Sequence, residues 1–383
     1  MYNNRIKFAK RGNFMKIFKK VIAMIACVAC LFGASCGEAE NPFAVTEFDG
    51  KVDLVHQEVL NYLNSDGSIP VTHYLPNGVY RHDQGKAVTL GYDTDLDVKS
   101  ADIQISRTQD FAVIEVEDTI NVRRKKVEIT NLYPGVNYYF RINLTLADGS
   151  VLTSKGSFET NKGARFIELS GASNVRDLGG WKTENGKQIK YGLIYRGGEI
   201  DGGKNTGHPD FCLTPYGVEQ ARSFGIKTEI DLRSENDKAS EHSILGEDIQ
   251  RTFYNSAQYQ NILKPENAER TRKIFSDLAK PSAYPVYLHC THGVDRAGSI
   301  TLLLEGLLGV SKQDLIKDYE LSAFYHNYKH VHRELDNGGT ILGLIDGIDA
   351  FEGETFAKKV ENFLLSIGVT AQEISSIRAT LLE

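Results

Sequence analysis

The sequence has few cysteines, no excess of positive charge, and neither internal repeats nor low-complexity tracts. Only five of its 383 residues are cysteines, and three of these lie before residue 37. The remaining two, Cys212 and Cys290, are too few for a disulfide framework, although a single bond between them stays open. The net charge of −6 gives no indication of a nucleic-acid partner.

Long apolar runs are also missing. The longest near the N-terminus, residues 21–32, is twelve residues, whereas a membrane-spanning helix needs about 20. Lysines precede this run and small residues follow it up to Cys36, an order typical of an export signal. The arrangement resembles a bacterial lipoprotein signal, with Gly33 where leucine is usual. This implies acylation of Cys36, a start at Met15, and an exported protein that is membrane-anchored in the cell envelope. The alternatives are an ordinary secretory signal or a short membrane anchor.

Residues 69–162 predict an all-β sandwich. Tyr138, Phe140, Ile142 and Leu144 alternate with polar residues, as in a half-buried strand, and residues 148–149 (Asp-Gly) favour a hairpin turn. Residues 132–138 resemble the fibronectin type III signature, which implies that the Tyr138 hydroxyl is tied back to the backbone. We expect this domain to act as a spacer or to pack on the rest; binding of a partner or substrate is the alternative. Residues 37–68 are interpreted as a linker or a short helix.

The segment that carries chemistry is residues 289–296, which read HCTHGVDR. A cysteine and an arginine separated by five residues suit phosphate chemistry. The thiolate of Cys290 can attack phosphorus, and the planar fork of Arg296 can hold two phosphate oxygens. A predicted strand at 285–288 precedes the segment, and a predicted helix at 297–308 follows, with Gly309 as its stop. Strand, loop and helix together aim backbone N–H groups at an anion. The alternative is a structural cysteine beside an ordinary core helix.

This loop resembles that of the cysteine-dependent tyrosine-phosphatase superfamily. It is most similar to the bacterial tyrosine/phosphoinositide phosphatase family, whose loop usually reads His-Cys-x-Ala-Gly-Lys-Asp-Arg-Thr-Gly. The segments that extend the resemblance across residues 165–383 are 174–180, 193–198, 214–217, 230–235 and 318–322. Helix and strand patterns in this region predict an α/β domain over residues 163–383, with a central, largely parallel sheet flanked by helices. Thr214 and Pro215 are expected to begin one of its helices.

Three positions depart from the family loop. His292 replaces its alanine, Val294 its lysine, and Ala297 its threonine. Losing the lysine removes a cation that could bind a second substrate phosphate. This weakens the hypothesis that the substrate is a polyphosphoinositide. Losing the threonine removes a hydroxyl that helps the cysteine leave the phosphoenzyme, and Ser299 is a doubtful substitute. Slow turnover is therefore expected, although His292 could partly compensate for the lost hydroxyl.

The resemblance implies a role for each residue of the loop. Cys290 forms a phosphocysteine, and Arg296 stabilises charge on the phosphoryl oxygens. His289 orients the loop or the thiolate. Neither a cofactor nor a metal is required, because arginine and amides supply the positive charge. The phosphate-binding backbone positions are Thr291, His292, Gly293, Val294 and Ala297.

A general acid must protonate the leaving oxygen, and the sequence offers two candidates. Asp295, inside the loop, is the first. Asp231, at the expected end of a strand beside the site, is the second; its alternative role is to brace Arg233 or the loop. Arg176 and Asp177 are expected near the site as supporting residues, with a scaffold ion pair between them as the alternative.

One further histidine group invites a metal-site interpretation. His326 and His330 are four residues apart, so a helix would present them on one face, and His332 follows. They have neither the Glu-x-x-His pattern nor a partner cysteine, so a solvated or interfacial helix face is the preferred interpretation.

The sequence therefore predicts a cysteine-dependent phosphomonoester hydrolase, foremost a protein-tyrosine phosphatase. Its partners would be a phosphorylated protein or a small phosphoester. The first alternative is a phosphatase for inositol phosphates or phosphoinositides. The second is a pseudophosphatase that binds phosphorylated ligands without turnover.

Overall fold

The computed structural model describes residues 41–75, 82–203, 211–237, 239–325, 331, 333 and 339–383. Within them the strands are β1 (Ala44–Val45), β2 (Val88–Asp93), β3 (Val98–Ser106), β4 (Val116–Ile120), β5 (Lys126–Ile129), β6 (Asn137–Leu146), β7 (Val151–Glu159), β8 (Arg165–Phe166), β9 (Arg176–Asp177), β10 (Ile194–Gly197), β11 (Thr228–Asp231), β12 (Gln250–Phe253) and β13 (Val286–His289). The α-helices are α1 (Gln57–Leu63), α2 (Pro215–Ser223), α3 (Ala268–Leu278), α4 (Asp295–Leu308), α5 (Lys312–Glu320), α6 (Ile341–Asp349), α7 (Phe356–Ser366) and α8 (Ala371–Leu381).

The N-terminal part of the described chain is rich in β-structure. Two antiparallel sheets, ordered β1-β2-β5 and β4-β3-β6-β7, contribute side chains to one apolar core. The alternation seen in the sequence places Tyr138, Phe140, Ile142 and Leu144 of β6 in that core with no exposed surface. The predicted hairpin is confirmed, because β6 pairs antiparallel with β7 and Gly149 adopts a φ of +86° in the turn.

The expected bond of the Tyr138 hydroxyl is also confirmed. That hydroxyl accepts a hydrogen bond from the backbone N–H of Tyr133 at 2.9 Å. The contact ties β6 to the loop that precedes it, so a buried polar group is satisfied without leaving the core.

The C-terminal part is built on a six-stranded sheet of order β12-β11-β13-β10-β9-β8. The first four strands are parallel to one another, whereas β9 pairs antiparallel with both β10 and β8. Strands β10, β11 and β13 are buried along their whole length. Because they are parallel, Gly197, Asp231 and His289 end them at the same edge of the sheet, where open α/β sheets bind ligands.

Two helices near that edge begin and end as their residues dictate. The Thr214 side chain accepts a hydrogen bond from the N–H of Gly217 at 3.1 Å, and Pro215 takes the first helical position of α2, as predicted. Helix α4 starts at Asp295, two residues earlier than the sequence indicated, and ends where Gly309 adopts a left-handed φ of +94°. From Ala297 to Leu308 every residue of α4 is buried, as expected for a helix that is apolar on all sides.

The two parts are joined by buried polar contacts. The Arg165 guanidinium donates to the carbonyls of Leu132 (3.1 Å) and Asn131 (2.7 Å) in the β-rich part. It also pairs with Asp177 of the six-stranded sheet at 3.0 Å. A helix, α1, does form within residues 37–68, and its Val59 and Tyr62 join the apolar core of the C-terminal part.

Candidate active site

The loop between β13 and α4 lies at the edge where the parallel strands end. Cys290, directly after β13, is 2% exposed and forms the base of the loop. Gly293 has a φ of +71°, and a Cβ there would lie 2.4 Å from the carbonyl carbon of Gly197. Only glycine permits this close approach, so the loop is pressed against the end of β10.

The loop carbonyls are held from outside. The bonds are Asn174 Nδ2 to the His292 carbonyl (3.0 Å), Arg196 Nη2 to the Gly293 carbonyl (2.9 Å) and Glu199 N–H to the Thr291 carbonyl (3.1 Å). Within the described residues, the N–H groups of Gly293, Val294 and Asp295 have no protein acceptor. The loop therefore keeps these donors free at the N-terminus of α4, where the helix dipole also favours an anion.

A buried ion network supports the loop from behind. Asp318 of α5 accepts from Arg176 Nε at 2.9 Å and also pairs with Arg196, the residue that holds the Gly293 carbonyl. Arg176 and Asp177 are both buried but do not pair with each other: Asp177 pairs with Arg165 instead. The scaffold ion pair considered from the sequence is therefore wrong, because adjacent residues of a strand point to opposite faces.

His289 and Asp231 belong to a second buried cluster at the ends of β13 and β11. His289 Nε2 lies 3.0 Å from Glu229 Oε1, and Asp231 pairs with Arg233 (2.8 Å) and Arg251. Burial disfavours a charged His289, but Asp231 and Glu229 outweigh it and raise the pKa of the imidazole. Burial also opposes ionisation of Asp231, yet His289 and Arg233 lower its pKa. Asp231 thus braces Arg233, the alternative role foreseen for it.

Glu229, Asp231 and His289 lie close enough to coordinate a metal ion. Their carboxylate oxygens, however, already accept from guanidinium groups: Arg251 contacts Glu229 at 3.2 Å, and both Arg233 and Arg251 contact Asp231. The cationic charge that a metal would bring is supplied by arginine, so this donor set fits an ion network better than a metal site.

Asp295 stands at the start of α4, half-buried, with its two carboxylate oxygens in different surroundings. The Tyr259 hydroxyl donates to Oδ1, and the Tyr319 hydroxyl lies 2.9 Å from that of Tyr259. Among the described residues Oδ2 has no partner. The Ser299 hydroxyl is engaged by the Tyr259 N–H (2.6 Å) and the Asp295 carbonyl (2.7 Å), so it cannot replace the missing loop threonine.

The Arg296 guanidinium contacts one residue of the loop and one residue outside it. Its Nη2 donates to the Thr291 hydroxyl and its Nη1 to Asp237, each at 3.3 Å. Asp237 also accepts from the Ser234 hydroxyl at 2.6 Å. Burial opposes ionisation of Asp237, but Ser234 and Arg296 lower its pKa, so it remains an anion beside the arginine.

Aromatic side chains lie beside the loop. The ring of His292 meets the ring of Phe211 edge-on at 5.3 Å, and Phe211 in turn contacts Tyr325 at 6.4 Å. Val294 and Ala297 are buried and present no polar group.

Other predictions lie outside this loop. Cys212 is exposed and Cys290 buried, and both are free thiols. Cys36 and the three histidines of the metal interpretation, His326, His330 and His332, lie outside the described residues.

A comparison with protein families decides the assignment. The model of a tyrosine phosphatase family matches residues 167–383, more than half of the sequence, and that stretch includes every loop contact above. The chain belongs to the tyrosine phosphatase family. A protein of Cupriavidus necator with the provisional name tyrosine-protein phosphatase is 23% identical, over 41% of this chain and 63% of that relative. A tyrosine-protein phosphatase of Nostoc commune is 27% identical, over 44% of this chain and 70% of that relative. The match to the first thus spans less than two thirds of its length.

Within the family-matched region, sequence motifs identified the loop residues and several of their supports. They did not identify two side chains that contact the site, Asp237 and Tyr259. Asp237 lies two residues after segment 230–235 and belongs to none of the motifs that carry the family resemblance. Tyr259 also lies outside the short motifs that carry the family resemblance. Its left-handed φ of +52° and its bond to Asp295 appear only in three dimensions.

Proposed function

We propose that this phosphatase is a cysteine-dependent hydrolase of phosphomonoesters, foremost phosphotyrosine in proteins, acting through a phosphocysteine. One observation carries the proposal: Cys290 begins a loop with free N–H groups, and the Arg296 guanidinium contacts the Thr291 hydroxyl of the same loop. A buried nucleophile, an anion-binding cradle and a bidentate donor in one loop support this chemistry.

The chemistry follows from these positions. Cys290 Sγ attacks phosphorus, the bond from phosphorus to the ester oxygen breaks, and that oxygen takes a proton from Asp295. Asp295 then accepts a proton from water as the water attacks phosphocysteine, and the thiolate leaves with its electron pair. Arg296 and the loop amides balance the charge of the phosphoryl oxygens throughout.

Asp295 suits the role of acid better than Asp231. Asp295 is half-buried, with Oδ2 unpartnered among the described residues, so it can reach a leaving oxygen. Asp231 has no exposed surface and is paired with two arginines, which keep it ionised. His289 and Arg176 support the loop from behind, whereas Asp177 pairs with Arg165 on the other face of its strand, and none of the three would touch substrate.

Two features favour an aryl phosphate over a polyphosphorylated inositol. His292 and Phe211 place aromatic rings beside the loop, and Val294, 2% exposed, offers no cation for a second phosphate. A pseudophosphatase would share the phosphate cradle but would need neither Asp295 nor its supports.

We further propose a lipid anchor at Cys36 that holds an exported enzyme at the membrane of the cell envelope. No helix in the described residues combines the length and apolarity needed to span a bilayer. The β-rich part, which we propose to be fibronectin type III-like, would act as the spacer; the bond between the Tyr138 hydroxyl and the Tyr133 N–H supports that assignment.

The test is steady-state hydrolysis of p-nitrophenyl phosphate and a phosphotyrosine peptide, with reductant and chelator present. Cys290→Ser should abolish turnover and still bind vanadate, because the cradle and Arg296 remain. Cys212→Ser, which removes the exposed thiol, is the matched control and should be as active as wild type. Turnover that survives Cys290→Ser would refute the mechanism. Wild-type protein that binds vanadate but hydrolyses neither substrate would favour the pseudophosphatase or an inositol phosphate.

A further inference from the structure

Two buried tyrosines form a hydrogen-bonded chain that ends on Asp295. Tyr259 is 1% exposed and Tyr319 3% exposed, and their hydroxyl oxygens are 2.9 Å apart. The Tyr259 hydroxyl donates to Asp295 Oδ1, so the Tyr319 hydroxyl is left to donate to the oxygen of Tyr259. These two hydrogen bonds therefore link α5, through the segment Tyr259–Leu263, to the first residue of α4.

Tyr259 is held rigidly in this position. Its φ of +52° lies in the left-handed region, which is costly for a bulky side chain and is kept only when the surroundings impose it. The Ser299 hydroxyl supplies that constraint, because it accepts from the Tyr259 N–H and donates to the Asp295 carbonyl. One serine thus fixes both ends of the bond between Tyr259 and Asp295.

We propose that Tyr259, backed by Tyr319, is a positioning residue that holds the Asp295 carboxyl in the orientation from which it protonates the leaving oxygen. The inference rests on the proposed function, in which Asp295 protonates the leaving oxygen. With Oδ1 anchored, the carboxyl group cannot rotate freely, and Oδ2 faces the partly open side.

The charged and titratable neighbours are consistent with this arrangement. Tyr259 and Tyr319 face Asp295 from the two packed segments, Arg296 and Cys290 belong to its own loop, and Arg196 and Glu320 act on Tyr319. Burial, followed by the charges of Tyr319 and Asp295, raises the pKa of Tyr259 far above its usual value. Tyr259 therefore remains a hydrogen-bond donor over the whole range in which the enzyme would work.

The test is kcat/KM, which reports formation of the phosphocysteine, for phenyl phosphate and for p-nitrophenyl phosphate. The phenyl leaving group needs a proton far more than the nitrophenyl one, so loss of the acid's orientation should slow phenyl phosphate selectively. Tyr259→Phe should lower kcat/KM for phenyl phosphate about 10-fold relative to p-nitrophenyl phosphate, the size expected for one hydrogen bond to a charged group. Tyr319→Phe should change that ratio in the same direction by less. Tyr254→Phe is the matched control, because that partly buried tyrosine donates to Asp277 rather than to Asp295 and should leave the ratio unchanged.

Asp295→Asn separates this proposal from the one on which it rests. If Asp295→Asn keeps the wild-type kcat/KM for both substrates, the assignment of the acid fails. If Asp295→Asn lowers kcat/KM selectively for phenyl phosphate and Tyr259→Phe does not, the acid stands and the role of Tyr259 is overturned.

Discussion

Asp237 is a single residue outside every sequence motif, yet it contacts the arginine that would bind phosphate. Arg296 has two donor edges, one formed by Nε and Nη2 and the other by Nη1 and Nη2. Asp237 engages Nη1, and Nε has no partner among the described residues. The Nε–Nη2 edge can therefore turn to a phosphate while Asp237 continues to hold Nη1, which makes Asp237 an orienting contact rather than a competitor.

From this geometry we expect Asp237→Asn to lower kcat/KM about 10-fold, near the lower end for a charge-assisted hydrogen bond because both partners are partly exposed. The loss should be equal for p-nitrophenyl and phenyl phosphate, since orientation of Arg296 does not depend on the leaving group. Asp248→Asn, which breaks the exposed pair with Arg222, is the control and should have no effect. A loss confined to phenyl phosphate would instead make Asp237 the general acid.

At the scale of elements, β11 and β13 end in a cluster whose charge depends on pH. The folded-state pKa of His289 is raised, so its contribution to stability is complete below pH about 6.5 and is lost as pH rises through the folded-state pKa. The pKa of Asp231 is lowered, so its contribution is present above about 3.9 and is lost as pH falls through the folded-state pKa. Between these limits both contributions are present.

We therefore expect the free energy of unfolding to decline above pH about 6.5 in the wild type and to decline less in His289→Gln. Urea unfolding at several pH values measures this difference in slope. His242→Gln, at an exposed histidine, should keep the wild-type slope. Parallel slopes for wild type and His289→Gln would mean that the imidazole does not gain a proton on folding.

Elements set by neighbouring residues were predictable from the sequence. The cap at Thr214, the stop at Gly309 and the turn at Gly149 each depend on a few adjacent positions, and all three form as expected. Partners across the fold were not predictable. Arg176 reaches Asp318, 142 residues away, rather than the adjacent Asp177. Sequence adjacency suggested one pair, whereas the two faces of a strand require two separate pairs.

At the scale of the whole molecule, the β-rich part and the C-terminal part share one framework. Residues 41–383 form one compact unit. Arg165 connects the β-rich part to Asp177. Lys317 of α5 donates to the carbonyls of Leu63 (2.8 Å), the last residue of α1, and Ser65 (2.7 Å). Since Asp318 and Tyr319 lie next in α5, the segment that anchors α1 also carries the supports of the loop. Hydrophobic patterns in the sequence predicted where each part lies. They could not predict the polar contacts that join the parts.

The central claim is that phosphate passes through Cys290, and the loop makes that intermediate observable. Ala297 lacks the hydroxyl that helps the cysteine leave, and the Ser299 hydroxyl is already engaged, so phosphocysteine should form faster than it breaks down. Rapid mixing with p-nitrophenyl phosphate, followed by acid quench and intact-mass analysis, tests this directly. We predict a burst approaching one nitrophenol per enzyme, with one phosphoryl group on Cys290 and none in Cys290→Ser. Linear release from the first turnover, with no phosphate on the protein at any time, would contradict the account.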